Sequence, residues 1–219
     1  MNLQQMSTYL KAKRKVGAEP DRVKVFASTT GGKISRFAQR VCGGEQTHIG
    51  LIFEFANCEA FYIEAYFRFG VRICSYEQLD TFLWADPANR VWIAPTDIEG
   101  QFARTLYMDC FNDIGRAGYY EWQLVLMWLH ERLARIIRFR LPNTEDLVVC
   151  SEWVARRLYN YGYNLMDTFH DDFETVTPAS AWKRIKEINA QRNLPHEGLE
   201  LKLPGEENDD EKVYPVIID

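Results

Sequence analysis

Residues 48–55 read His-Ile-Gly-Leu-Ile-Phe-Glu-Phe and residues 61–66 read Phe-Tyr-Ile-Glu-Ala-Tyr, separated by a short polar turn around Asn57. Apolar residues fall on every second position: Ile49, Leu51, Phe53 and Phe55 in the first run, Phe61, Ile63 and Ala65, then Phe67, in the second. Successive side chains of a strand point to opposite faces, so this alternation predicts two half-buried strands joined as an antiparallel hairpin. Burying both apolar sets in one core leaves a single register, because a one-residue slip would send every side chain to the wrong face. That register sets His48 opposite Tyr66. Glu64 then lies on the diagonal from His48, about 7 Å or less away at the Cβ atoms. His48 and Glu64 therefore project together from the second face; an ordinary exposed polar face, also home to Tyr62 and Tyr66, is the alternative reading of that placement.

Further strands are expected at 23–28 (VKVFAS), 71–74 and 90–95 (RVWIAP). Helices are expected over 33–42, where Ile34, Phe37 and Val41 have helical spacing, and over 76–85 and 98–112. A long, largely buried helix is expected over 119–139, ended by Pro142. Residues 148–162 read as a helix entered from a short apolar segment and closed by Gly162, and Thr177-Pro178 starts a last helix to about Ile188. The fold class is accordingly α+β, a small antiparallel sheet packed against helices. Residues 1–20 form a polar leader with one helical stretch before Pro20, residues 21–192 the main domain, and residues 193–219 an acidic tail. The VYPVII stretch of that tail is a candidate edge strand.

The chain has 219 residues, 47% of them hydrophobic and 14% aromatic, enough for a substantial core without disulfide or metal staples. Its net charge of −5 supplies no basic footprint for nucleic acid. No run approaches the ~18 apolar residues of a membrane span, and the first 20 residues lack a charged-then-apolar export pattern. Five cysteines, at 42, 58, 74, 110 and 150, contain no pair with the two-residue gap of a zinc knuckle or redox motif. A reduced, cytoplasmic setting follows, with no metal and no cofactor expected.

Cys150 follows apolar Leu147-Val148-Val149 and precedes a helical pattern, which puts its sulfur at a helix N-terminus. Free N–H groups and the helix dipole there favour negative charge, on a thiolate or on an oxyanion. A buried cysteine packed as a small hydrophobe fits the same local pattern. A nucleophilic cysteine needs a base, and there are four histidines. His130 lies in the long apolar stretch, His170 in an acidic loop and His196 in the Pro-containing tail. His48 opens a strand after a Gly-rich turn, where a side chain can reach a cleft from a rigid sheet. Glu64 beside it can accept the imidazole proton and fix the tautomer.

The stretches THIGLIFEF, YIEAYFRFGV and VVCSEWVARRLYNYG, in that order, resemble the permuted NlpC-like papain-fold proteins, the YiiX and YaeF branch. That group has [ST]-H-x-G followed by apolar residues, then an apolar-E-A motif with a later Gly-Val, then C-S-E opening a helix. The Thr177-Pro178 pair ahead of a helix is also similar. The resemblance spans roughly residues 23–190, and residues 98–140 have no signature within it. It implies a permuted papain-like fold with Cys150 as nucleophile, His48 as base and Glu64 as the third, orienting member. It further implies a thiol hydrolase, amidase- or peptidase-like, acting through an acyl-enzyme on a small-molecule, peptide or lipid acyl substrate. A lipid acyltransferase or esterase using the same three residues, and a non-enzymatic binding module of the same fold, are the alternatives.

Overall fold

The computed structural model describes residues 3–56, 59–66, 69–115, 118–119, 147–166, 173, 176–195 and 199–201. Helix α1 (Leu3–Arg14) precedes β1 (Arg22–Thr29), α2 (Lys33–Cys42), β2 (His48–Phe55), β3 (Glu59–Tyr66) and β4 (Gly70–Ser75). Then come α3 (Glu77–Ala85), β5 (Arg90–Pro95), α4 (Gly100–Asp113), and two short strands, β6 (Gly118–Tyr119) and β7 (Leu147–Val148). Helix α5 (Cys150–Tyr159), helix α6 (Pro178–Gln191) and strand β8 (Leu199–Leu201) complete the described elements. The fold is α+β. The helix expected over 119–139, His130, His170, His196, Phe67, Cys58 and the VYPVII stretch lie outside the described residues, apart from Tyr119, which pairs with Val148.

Six strands form one sheet in the order β4-β3-β2-β1-β5-β8. Every neighbouring pair in it is antiparallel. Leu51 pairs with Ile63 and Phe53 with Phe61, the register that the apolar alternation requires. One face carries the main core: Ile49, Leu51, Phe53, Ile63 and Ala65 meet Leu106 and Tyr107 of α4, Trp153 and Leu158 of α5, and Trp182 and Ile185 of α6.

The second face is not an ordinary exposed polar surface, the alternative that the sequence left open. It carries its own buried cluster, in which Phe26, Ile52, Tyr62, Cys74, Val91 and Ile93 pack under Leu79 and Leu83 of α3. A strand pattern shows which residues share a face, but which element covers that face is a long-range matter. Gly50 belongs to this packing. It sits directly opposite Phe26, whose ring lies across it. A Cβ there would fall 2.5 Å from the ring and 2.9 Å from the Ile63 carbonyl oxygen.

The N-terminal leader is docked as well. Ala12 of α1 is fully buried, and Tyr107 Oη donates to its carbonyl at 2.9 Å. Helix α2 forms where expected but presents a polar side inward. Ser35 bonds Thr29 at 3.0 Å and Thr47 at 2.8 Å, and Gln39 donates to Thr29 at 2.8 Å. Phe37, one of the residues whose spacing signalled the helix, is 55% exposed. Helix α6 starts on a capping box, with Thr177 accepting from the Ser180 N–H at 3.1 Å and Pro178 in the first turn. The outer sheet edge beside β5 is taken by Leu199–Leu201, upstream of the VYPVII stretch.

Candidate active site

The hairpin ladder runs from Phe55–Glu59 to Leu51–Ile63. Beyond it, β2 stays with β1 as far as the Ser28–His48 pair, and β3 stays with β4 as far as Tyr66–Gly70. The two strands therefore part at this end of the sheet, and each is held from its other side. His48 and Glu64 face one another across the opening. His48 Nε2 lies 2.6 Å from Glu64 Oε2.

Helix α5 packs against β2 and β3, and its first residue, Cys150, is 3% exposed within the main core. Val149 is the N-cap in extended conformation, and the first-turn N–H groups of the helix follow it. Glu152, in that first turn, is 2% exposed, and its carboxylate accepts from Arg156 Nε at 2.9 Å. The helix is braced at its far side by Asp113, which accepts from Trp153 Nε1 at 2.8 Å and from Arg157 Nη2 at 2.6 Å.

Cys150 lies near enough to His48 for a negative charge on its sulfur to act on the imidazole. Glu64 occupies Nε2, which leaves Nδ1 as the second ring nitrogen. Burial disfavours the imidazolium, but a negative Cys150 sulfur and the Glu64 carboxylate outweigh it and push His48 up to about 10. Glu64 shows the reverse balance. Burial opposes its charge, yet His48 and Arg72 beside it hold its carboxyl below the usual carboxylate range. The structure thus brings together the three side chains that the sequence singled out, Cys150, His48 and Glu64. The neighbours of His48 favour a proton on its imidazole.

No family model matches the chain, and no curated protein matches it in sequence.

One neighbour of the site was not apparent in the sequence, and another, expected opposite His48, lies beside its ring. Arg72 of β4 is directly opposite Glu64, and its Nε donates to Glu64 Oε1 at 2.7 Å. Tyr66 stands edge-on to the His48 ring, with centroids 5.7 Å apart. A signal for Arg72 existed in principle. It is the only charged residue in GVRICS, on a strand expected to be short and sheet-paired. Without the β3–β4 register, nothing connected it to Glu64. Among the described residues, no group of three or more His, Cys, Asp or Glu side chains is placed to hold a metal. No helix among them is long and apolar enough to cross a membrane.

Proposed function

We propose that this chain is a thiol hydrolase with a permuted papain-like arrangement, cleaving an amide, ester or thioester through a Cys150 acyl-enzyme. The observation that supports the reading is a single imidazole bonded to a buried carboxylate and raised by the charge of a nearby helix-N-terminal cysteine. The order along the chain, histidine, then acid, then cysteine, is the permuted one.

In the resting pair the proton resides on His48 and the negative charge on Cys150 Sγ. The thiolate attacks the substrate carbonyl carbon, forming a C–S bond and moving the carbonyl electron pair onto oxygen. The first-turn N–H groups of α5 stabilise that oxyanion. As the carbonyl re-forms, the bond to the leaving nitrogen, oxygen or sulfur breaks, and His48 donates its proton to that atom. His48, now neutral, takes a proton from water as the water attacks the thioester. The second tetrahedral intermediate expels Cys150 as thiolate and restores the ion pair. Throughout, Glu64 accepts the Nε2–H hydrogen bond, so the ring keeps Nδ1 directed at the chemistry.

The test is to trap the intermediate. Brief reaction with a p-nitrophenyl ester, followed by acid quench and intact-mass measurement, is expected to show one acyl adduct, mapped to Cys150. Cys150→Ala is expected to lose both adduct and burst. An adduct on another residue, or turnover that survives Cys150→Ala, would overturn the reading.

A further inference from the structure

Glu64 is 3% exposed, and its two oxygens are taken by two different cations. Oε2 serves His48; Oε1 receives Arg72 Nε at 2.7 Å and Nη2 at 2.5 Å. Backbone pairing sets this contact, because Glu64 and Arg72 are register partners on β3 and β4. The same guanidinium lies under the Tyr66 ring, 3.6 Å from its centroid, and Tyr66 in turn stands edge-on to His48. Arg72 therefore supports both groups that flank the imidazole.

We propose that Arg72 is a positioning residue that keeps Glu64 ionised and aimed at His48 through every step of the cycle, extending the site to Cys150–His48–Glu64–Arg72. The inference rests on the thiol chemistry proposed above. Its physical ground is charge balance. In the ion-pair state, thiolate, imidazolium, carboxylate and guanidinium sum to zero. In the acyl-enzyme, where sulfur is acylated and His48 is neutral, carboxylate and guanidinium still sum to zero. Without Arg72 each of those states carries one uncompensated negative charge in a buried place, which is costly. Glu64 would answer by taking a proton or turning away whenever His48 gave its own to the leaving group. A guanidinium suits the task because it stays charged at every working pH, and the Glu64 carboxylate at its side overcomes burial to raise it further. The other titratable groups facing the pair do not substitute for it. Burial pushes Tyr62 up, and Cys74 up to about 11, so both are neutral across the physiological range.

The experiment reads Cys150 directly, by the pH dependence of its alkylation with iodoacetamide in the wild type and in Arg72→Lys, Arg72→Gln and Arg72→Ala. An imidazolium-paired thiolate gives a plateau and then a step where the imidazolium loses its proton, near pH 10 in the wild type. Taking away a cation that acts only through space would leave that step in place or raise it. Taking away the support of the carboxylate lowers it. The expected result is a step at least about one unit lower in Arg72→Gln and Arg72→Ala, with an intermediate position in Arg72→Lys. Guanidinium ion added to Arg72→Ala at tens of millimolar is expected to move the step back, while methylammonium does so less. Thermal melts of each variant separate this from loss of folding, and Arg72→Lys, which keeps the charge, covers the case in which the neutral variants do not fold. A step unmoved or raised in Arg72→Gln, or in Arg72→Lys if that is the only folded variant, overturns the proposal. If the wild type itself shows no plateau and step, it is the thiolate–imidazolium reading that fails.

Discussion

Replacing Glu64 with glutamine keeps the size of the side chain and removes its charge. The carboxylate now accepts from two cations at once, one on each oxygen. Glutamine has one accepting oxygen. If that oxygen faces Arg72, its NH2 faces His48 Nε2, donor against donor, unless the ring shifts its proton to Nδ1. That shift puts a proton between ring and sulfur in the neutral state and removes the partner of the imidazolium. In a serine protease the equivalent change costs about 10⁴ in rate. A thiolate–imidazolium pair is formed before substrate arrives and depends less on its third member, so the expected loss here is ~10- to 1000-fold. Stability falls too. On a solvated face the change would cost less than about 1 kcal/mol. Glu64, however, is buried, and breaking a buried ion pair costs about 3–5 kcal/mol when the remaining charge is sealed from water. The side chains of His48 and Arg72 are 17% and 26% exposed and recover part of their hydration. About 1–3 kcal/mol is therefore expected, or roughly 2–12 °C in melting temperature for a chain of this size. Ester or thioester turnover and thermal melts on both proteins measure the two effects. Unchanged turnover, or unfolding with no catalytic loss in the folded fraction, would refute the reasoning.

Cys150 is expected to be alkylated by iodoacetamide well ahead of the other four cysteines near neutral pH, as read by peptide mapping after brief exposure. Burial and the neighbouring Glu64 push Cys74 up to about 11, and burial pushes Cys110 well up, so neither competes. Rapid labelling of a cysteine other than Cys150 would count against the assignment. His48 is raised from an ordinary value of 6.5 to about 10, so its contribution to stability is fully present below about pH 6.5 and is lost as pH rises through about 10. Denaturant midpoints should decline over that range, and less steeply in Cys150→Ser, which removes one of the two negative partners; equal slopes would contradict the pairing. Gly50→Ala is expected to cost about 1–3 kcal/mol, because its Cβ would meet both the Phe26 ring and the Ile63 carbonyl. A variant as stable as the wild type in denaturant would show that the ring can move aside.

Much of the site was legible because strand geometry is rigid over short distances. Alternation at every second residue placed Ile49, Leu51 and Phe53 on one face and His48 and Glu64 on the other, and the observed register agrees with it. The position of Cys150 was also local information. An apolar run meeting a helical pattern marks a helix start, and Cys150 is the first residue of α5. What the second face meets was not local. An ordinary exposed face was one reading of the sequence, whereas α3 closes over Phe26, Ile52 and Tyr62, and Glu64 is buried.

The same limit applies to helices. Spacing of apolar residues marked residues 33–42 as helical, but the direction it faces was settled by hydroxyls on neighbouring strands, with Ser35 and Gln39 turned inward and Phe37 out. Arg72 is the sharpest case. Its residue type and its strand were readable, but its role depends on pairing across β3 and β4, on a ladder that stops at Leu51–Ile63, and on a tyrosine ring that the guanidinium lies against. The sequence by itself determined the periodicity of each element, and so which side chains share a face. Tertiary structure decided which faces are covered and which charges become partners, because covering and pairing are contacts between segments whose separation along the chain leaves no local trace.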